Sequence, residues 1–165
     1  MLVREAIGKD AEQVIAVIKN AEESNFMLFR PGERKLETEQ FTKFIENMNN
    51  NSHSALFIAE IEKIVVGYLI VQGNHMPSSV SHRAYIVVGI HSEYRGQKIG
   101  TALFSHLDDW AKEKSMHRLE LTVMANNMAA IALYKKMGFE IEGTKRHSLY
   151  VDGEYMDEYH MSKLL

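Results

Sequence analysis

No cysteine occurs among the 165 residues, which removes disulfides, thiolate metal sites and a cysteine nucleophile from consideration. A secreted, disulfide-stapled scaffold is thereby excluded. Proline is nearly as scarce, with Pro31 and Pro77 the only two, and no repeat, low-complexity tract or linker divides the chain. Nor is there an excess of positive charge: 19 Lys and Arg face 22 Asp and Glu, a formal charge of −3. A nucleic-acid binder normally carries a basic face, so DNA and RNA are not expected partners. The start, Met1-Leu2-Val3-Arg4-Glu5-Ala6, lacks the basic leader and apolar stretch of a signal peptide, and no segment approaches the roughly 18 apolar residues of a membrane span. A cytoplasmic protein without membrane association is expected. Eight histidines are present, yet none forms a His-x-x-x-His pair or clusters with other ligands, so no metal site is expected.

What remains is ordinary globular material, 45% hydrophobic and 25% charged, of a length that suits one domain spanning residues 1–165. Strand signals cover Leu2 to Ala6, Ala55 to Ile61, Ile64 to Gln72, Arg83 to Ile90 and Arg118 to Met124, with a tight turn at Glu62-Lys63. Helical spacing joins Val14, Val17, Ile18 and Ala21 behind a possible cap at Asp10, and again Phe41, Phe44, Ile45 and Met48. These two phenylalanines are expected in the core rather than around a ligand. A third helix carries Leu103, Leu107 and Trp110 on one side, with Asp108, Asp109, Lys112 and Glu113 solvated on the other. A fourth begins near Asn127 and stops at Gly138. Asp152-Gly153 marks a hairpin between Phe139–Val151 and Glu154–Ser162. The chain therefore reads as α+β, about seven strands and four helices.

The most informative segment is Ile90-His91-Ser92-Glu93-Tyr94-Arg95-Gly96-Gln97-Lys98-Ile99-Gly100-Thr101, where an apolar strand enters an Arg/Gly turn and then a helix. Such a turn gathers backbone N–H groups at the positive end of a helix dipole and so suits a phosphate. Arg95 adds a guanidinium fork and Lys98 a mobile charge. ATP and NAD fit poorly, because Lys98 precedes Gly100 where a P-loop needs Gly-Lys-Ser/Thr, and no Gly-x-Gly-x-x-Gly occurs. After the next strand comes Asn127-x-x-Ala130-Ile131-x-Leu133-Tyr134-x-x-x-Gly138-Phe139.

The two motifs in this order resemble the GCN5-related N-acetyltransferases (GNAT), most strongly over residues 84 to 142. The resemblance implies a mixed, largely antiparallel sheet whose two central parallel strands splay apart, and transfer of an acetyl group from acetyl-CoA to an amine. It places Val88, Gly89 and Ile90 along the pantetheine arm through their main chains, and Arg95, Gly96, Gln97, Lys98, Ile99, Gly100 and Thr101 around the pyrophosphate. Where the family commonly has Gly, this chain has Lys98; where many members have Pro, it has Ser92. Gly89 also fits a bulge, a close backbone approach or a packing accommodation.

Asn127 aligns with a residue that bonds the pantetheine, and equally suits an N-cap. Tyr134 aligns with the phenol that protonates the departing thiolate; a pKa of about 10 suits that task. Lys136 reaches either the 3′-phosphate or solvent. For the general base the candidate is Glu120, which shares strand parity with Thr122, a position bearing a catalytic Glu in some relatives; His82 and Tyr85 are alternatives. The acceptor implied is a small amine, a polyamine or a protein N-terminus, with Glu33, Glu154 and Asp157 as carboxylates that could attract a cation. A homodimer is compatible with the resemblance. A non-catalytic acyl-CoA sensor is the alternative to an enzyme.

Overall fold

Two-residue turns set the sheet's connectivity. Glu62 and Lys63 both have positive φ, 51° and 67°, as do Asp152 and Gly153 at 50° and 81°; that backbone twist matches antiparallel strands and closes two hairpins. The computed structural model describes residues 1–165. Its strands are β1 (Leu2–Glu5), β2 (Ala55–Ile61), β3 (Ile64–Gly73), β4 (Arg83–Ile90), β5 (Arg118–Met124), β6 (Glu140–Val151) and β7 (Glu154–Leu164). The helices are α1 (Ala11–Glu22), α2 (Thr38–Asn49), α3 (Ile99–Glu113) and α4 (Met128–Lys136). All seven strands form one sheet in the order β1-β2-β3-β4-β5-β7-β6. The α+β architecture with four helices is as the sequence implies.

Helices cover both faces of the sheet. Leu56 and Ile58 of β2 turn toward α1 and α2, where Val14, Val17, Ile18 and Ile45 close one core. Phe57 and Ala59, alternating with them, turn toward α3 and join Leu103, Phe104, Leu107, Leu119 and Leu121 in a larger core. This is the period-2 pleat at work: successive side chains face opposite layers, so a strand buried on both faces reads as an unbroken apolar run. Each fully buried Leu or Phe contributes about 1.5–3 kcal/mol of burial energy. Asp10 does not cap α1 as expected. Its carboxylate accepts from the Arg4 guanidinium at 2.8 and 3.0 Å and from the Ile7 amide at 2.8 Å. Asp108 is likewise less solvated than expected, one oxygen accepting from Lys163 Nζ at 2.7 Å and the other buried.

The feature that positions the site is the only parallel pairing, β4 with β5. Their registry runs Arg83 with Arg118, Ala84 with Leu119 and Tyr85 with Glu120, and stops there. Beyond it β4 keeps its partner β3 as far as Ile90, and β5 keeps β7 as far as Met124. The facing edges of Ile86–Ile90 and Leu121–Met124 are therefore open. Two strands that separate mid-sheet leave backbone N–H and C=O groups without partners, and such groups demand a ligand or solvent.

Candidate functional site

At the open end of the fork lies a cleft of about 1030 Å³ that passes from the turn before α3, between the splayed strands, to the segment joining α1 and α2. Val88, Gly89 and Ile90 line it from β4, and Thr122 and Val123 from β5. Arg95, Gly96, Lys98, Ile99, Gly100 and Thr101 line the turn, and Asn127, Tyr134 and Lys136 the α4 side.

The turn owes its shape to two left-handed residues, Gly96 at φ 75° and Lys98 at φ 64°. Lys98 is the N-cap of α3, and its positive φ is a conformation that glycine adopts without strain. This explains why a Lys is unusual there and how it is tolerated: the backbone, not the side chain, makes the turn. From Gly96 to Thr101 no backbone N–H finds an acceptor within the chain. Successive unpaired amides at a helix N-terminus form an anion seat, and the exposed Arg95 and Lys98 add charge beside it. Gly100 is required for a different reason. A Cβ there would stand 2.6 Å from Leu133 Cδ2 and 3.3 Å from Ile90 Cδ1, so the glycine lets α3 start against α4 and β4 without displacing the Leu133 side chain.

Three phenols meet near the fork. Tyr134 is 8% exposed and packs edge-on against Phe104 at 5.7 Å. Burial pushes its pKa upward, and the neighbouring Tyr85 adds to the shift. Tyr85 Oη lies 2.5 Å from Thr122 Oγ1 across the fork. Tyr68, on β3, is 1% exposed and its pKa too is raised, first by burial. Both raised phenols are held in the protonated form through neutral pH.

Asn127 combines the two roles open to it by sequence: its side-chain oxygen accepts from the Ala130 amide at 3.3 Å at the start of α4, and the residue also borders the cleft. The exposed Lys136 stands at the rim. Among the cofactor-site and catalytic residues implied by the resemblance, Gln97 and Glu120 lie elsewhere. Gln97 is exposed and does not border the cleft. Glu120 does not border it either, its carboxylate accepting from Arg118 Nε at 2.8 Å with His160 Nε2 at 3.9 Å. The parity that puts Glu120 on the same face as Thr122 is real, but Glu120 belongs to the paired base of the fork and Thr122 to its open part.

A sequence profile of the acetyltransferase (GNAT) family matches residues 18–139. The chain belongs to that family. An L-amino acid N-acetyltransferase of Escherichia coli is 35% identical over 111 residues, 65% of this chain and 66% of that protein. An N-alpha-acetyltransferase of Sulfurisphaera tokodaii is 29% identical across 97% of this chain and 90% of its own. Among solved structures, a GNAT-family acetyltransferase of Streptococcus pneumoniae superposes with a TM-score of 0.93 at 26% identity, covering 99% of this chain and 98% of that one. A ribosomal-protein-alanine N-acetyltransferase of Brucella melitensis gives 0.88 at 30% identity over the whole of both chains. The chain is thus a GNAT acyltransferase, and its cosubstrate is acetyl-CoA.

The GNAT cleft also contains residues that sequence reasoning missed. Tyr68 falls within the strand signal of Ile64 to Gln72 with no motif to single it out; only the fold sets it over Gly89 of β4. Glu22 and Arg34, which bond each other in the half of the cleft facing α1 and α2, have no motif around them. Phe41 is in the core as expected, yet it and Phe44 also border the cleft, so the same aromatic face serves both. His82 lies outside the cleft, whereas Tyr85 lines it. Glu33, Glu154 and Asp157 all lie outside. Glu33 accepts from the Arg30 amide at 2.7 Å and Asp157 from the His147 amide at 2.8 Å.

Proposed function

We propose that this GNAT protein acetylates the primary amine of an amino acid or of a chain N-terminus, by direct attack of the amine on the acetyl-CoA thioester. The observation that carries the reading is the run of unpaired amides from Gly96 to Thr101, continuous through the fork with the buried phenol of Tyr134. Those amides, with Arg95 and Lys98, bind the pyrophosphate, and Lys136 attracts the 3′-phosphate at the rim. The open edge of Val88–Ile90 takes the pantetheine arm as a partial extra strand, with Asn127 on its other side.

The neutral amine forms a bond to the thioester carbonyl carbon, and the C–S bond then breaks. Tyr134 donates its proton to the departing sulfur, which yields the free thiol of CoA, and recovers a proton from the one the amine sheds. The base expected of Glu120 is replaced in this reading by solvent water at the Tyr85–Thr122 pair, because the Glu120 carboxylate is committed to Arg118. The relatives named for amino acids and for N-alpha acetylation support both acceptor types.

The test is acetyl-CoA-dependent thiol release with amino acids, N-terminal peptides and polyamines, free of protein background in a chain without cysteine. Turnover with an amino acid or a peptide is the expected result. Acetyl-CoA binding without turnover on any amine would overturn the proposal in favour of a sensor.

A further inference from the structure

The acceptor half of the cleft holds one guanidinium whose geometry is fixed. Arg34 Nε and Nη2 both lie 2.8 Å from Glu22 Oε1, and its Cζ sits 4.2 Å over the ring centroid of Phe29. Glu22 is buried, its side chain 4% exposed. One edge of the guanidinium is thus closed by a carboxylate and one face by an aromatic ring, whereas Nη1 has no partner in the protein. A planar fork held in this way has lost the rotamer freedom that usually weakens a surface Arg, and its open edge matches a carboxylate.

Arg34 also stands near the chemistry. After burial, its charge and the opposing charge of Glu22 both act on the Tyr68 phenol, and the Tyr68 ring lies against Gly89 in the open part of β4. The same segments line the cleft with Ile18, Phe26, Met27 and Phe44 as well as with Ser24, Lys35, Glu37 and Gln40. Of the three carboxylates that line the cleft, Glu22 is engaged by Arg34 and Glu158 by Ser148 at 2.9 Å and Lys145 at 3.5 Å, while Glu37 is exposed.

We propose that Arg34 is a carboxylate-binding residue of the acceptor site, and that the acceptor is a free α-amino acid with an apolar side chain. Its carboxylate takes the open edge of Arg34, its side chain lies among Phe26, Met27 and Phe44, and its amine faces the fork. A peptide N-terminus carries a neutral amide where the free amino acid carries its carboxylate, and so leaves Arg34 unused. This assignment rests on the acetyltransferase reading above.

The experiment compares L-phenylalanine, L-phenylalaninamide, 2-phenylethylamine and a Phe-initiated peptide at saturating acetyl-CoA, each at equal free-amine concentration. L-Phenylalanine is expected to exceed the other three by about 10²-fold in kcat/KM, because a site built around a polar group discriminates against ligands that lack it. Arg34→Gln should raise KM for L-phenylalanine on the order of 30-fold, far more than it changes KM for 2-phenylethylamine, which has no carboxylate to lose; Arg34→Lys restores only part, for want of the fork. Equal use of the amide, the peptide or the amine by the unmutated protein overturns the carboxylate assignment while leaving the transferase reading intact. So does an Arg34→Gln loss that is uniform across acceptors. The comparison of acceptors needs no variant, so it decides the matter even where Arg34→Gln fails to fold. Turnover with none of the four, acetyl-CoA still binding, overturns this assignment, and the transferase reading falls with it when the remaining amines also fail.

Discussion

The ring of Tyr68 lies so close over Gly89, its neighbour across β3 and β4, that a methyl group on Gly89 would stand 2.5 Å from Cε1 and 2.8 Å from the phenol oxygen. A side chain at Gly89 requires the Tyr68 ring to move. The open part of β4 and the Tyr68 phenol, both lining the cleft, are a single packed unit.

Gly89→Ala should therefore cost about 1–3 kcal/mol, the usual penalty of overpacking a filled site, and should depress turnover as well, since relief comes only by moving Tyr68 or bending β4. Denaturant unfolding and thiol release together check this. A variant with unaltered midpoint and rate would show that the contact relaxes freely.

Tyr134→Phe removes one oxygen from a side chain otherwise packed on Phe104 and Phe139. We expect kcat to fall about 10²–10³-fold, the range of a lost general acid, with the acetyl-CoA dissociation constant unchanged. Burial raises the phenol pKa above its ordinary value, so the acid form persists as pH rises. The unmutated enzyme should then show no alkaline decline in kcat below about pH 9. An earlier decline that tracks Tyr134 would contradict the raised phenol.

Glu120→Gln should leave the pH dependence of kcat/KM in place and alter the rate less than about threefold, because the carboxylate faces Arg118 rather than the cleft and general-base removal typically costs 10²-fold or more. A loss of that size, with the ascending limb abolished, would restore Glu120 as the base.

Lys98→Gly relieves a left-handed residue at φ 64°, a strain of about 1–2 kcal/mol for a residue with a Cβ, partly offset by the freedom glycine gains in the unfolded chain. The expected result is equal or greater thermal stability together with acetyl-CoA binding weakened roughly two- to fivefold by loss of one charge at the phosphate seat. Titration calorimetry and a melting curve separate the two effects.

Glu142 gives a pH-dependent contribution to stability. The Arg118 guanidinium, then the Ser162 hydroxyl, hold its carboxyl down to about 2 from an ordinary 4.5. A lowered folded-state value means the stabilisation is fully present above about 4.5 and disappears as pH falls through about 2. Its side chain is 39% exposed, so solvent screening limits the effect to about 1 kcal/mol or less. Glu142→Gln should lower the melting temperature at pH 7 and should melt together with the unmutated protein near pH 2. A gap that widened on acidification would have the wrong sign.

The sequence by itself determined the elements and the family. Apolar periodicity delimits β2, β4 and β5 at the observed residues, and Asp152-Gly153 marks its turn, because these depend on interactions a few residues long. The turn from Arg95 to Thr101 was legible for the same reason: it is a local backbone shape, written in glycines and one left-handed lysine. The place of Tyr134 at the cleft was readable because its surrounding motif is contiguous on one helix. What only the tertiary structure decided is everything assembled from distant strands and loops. Glu120 and Thr122 share a face, yet the separation of β4 from β5 falls between them and gives only Thr122 to the cleft. Tyr68 meets Gly89, and Arg34 meets Glu22 and Phe29, through packing across the sheet and across the segment joining two helices. Side-chain alternation carries no information about where two strands part or which loop closes over them. Those outcomes are set by the balance of burial among whole layers.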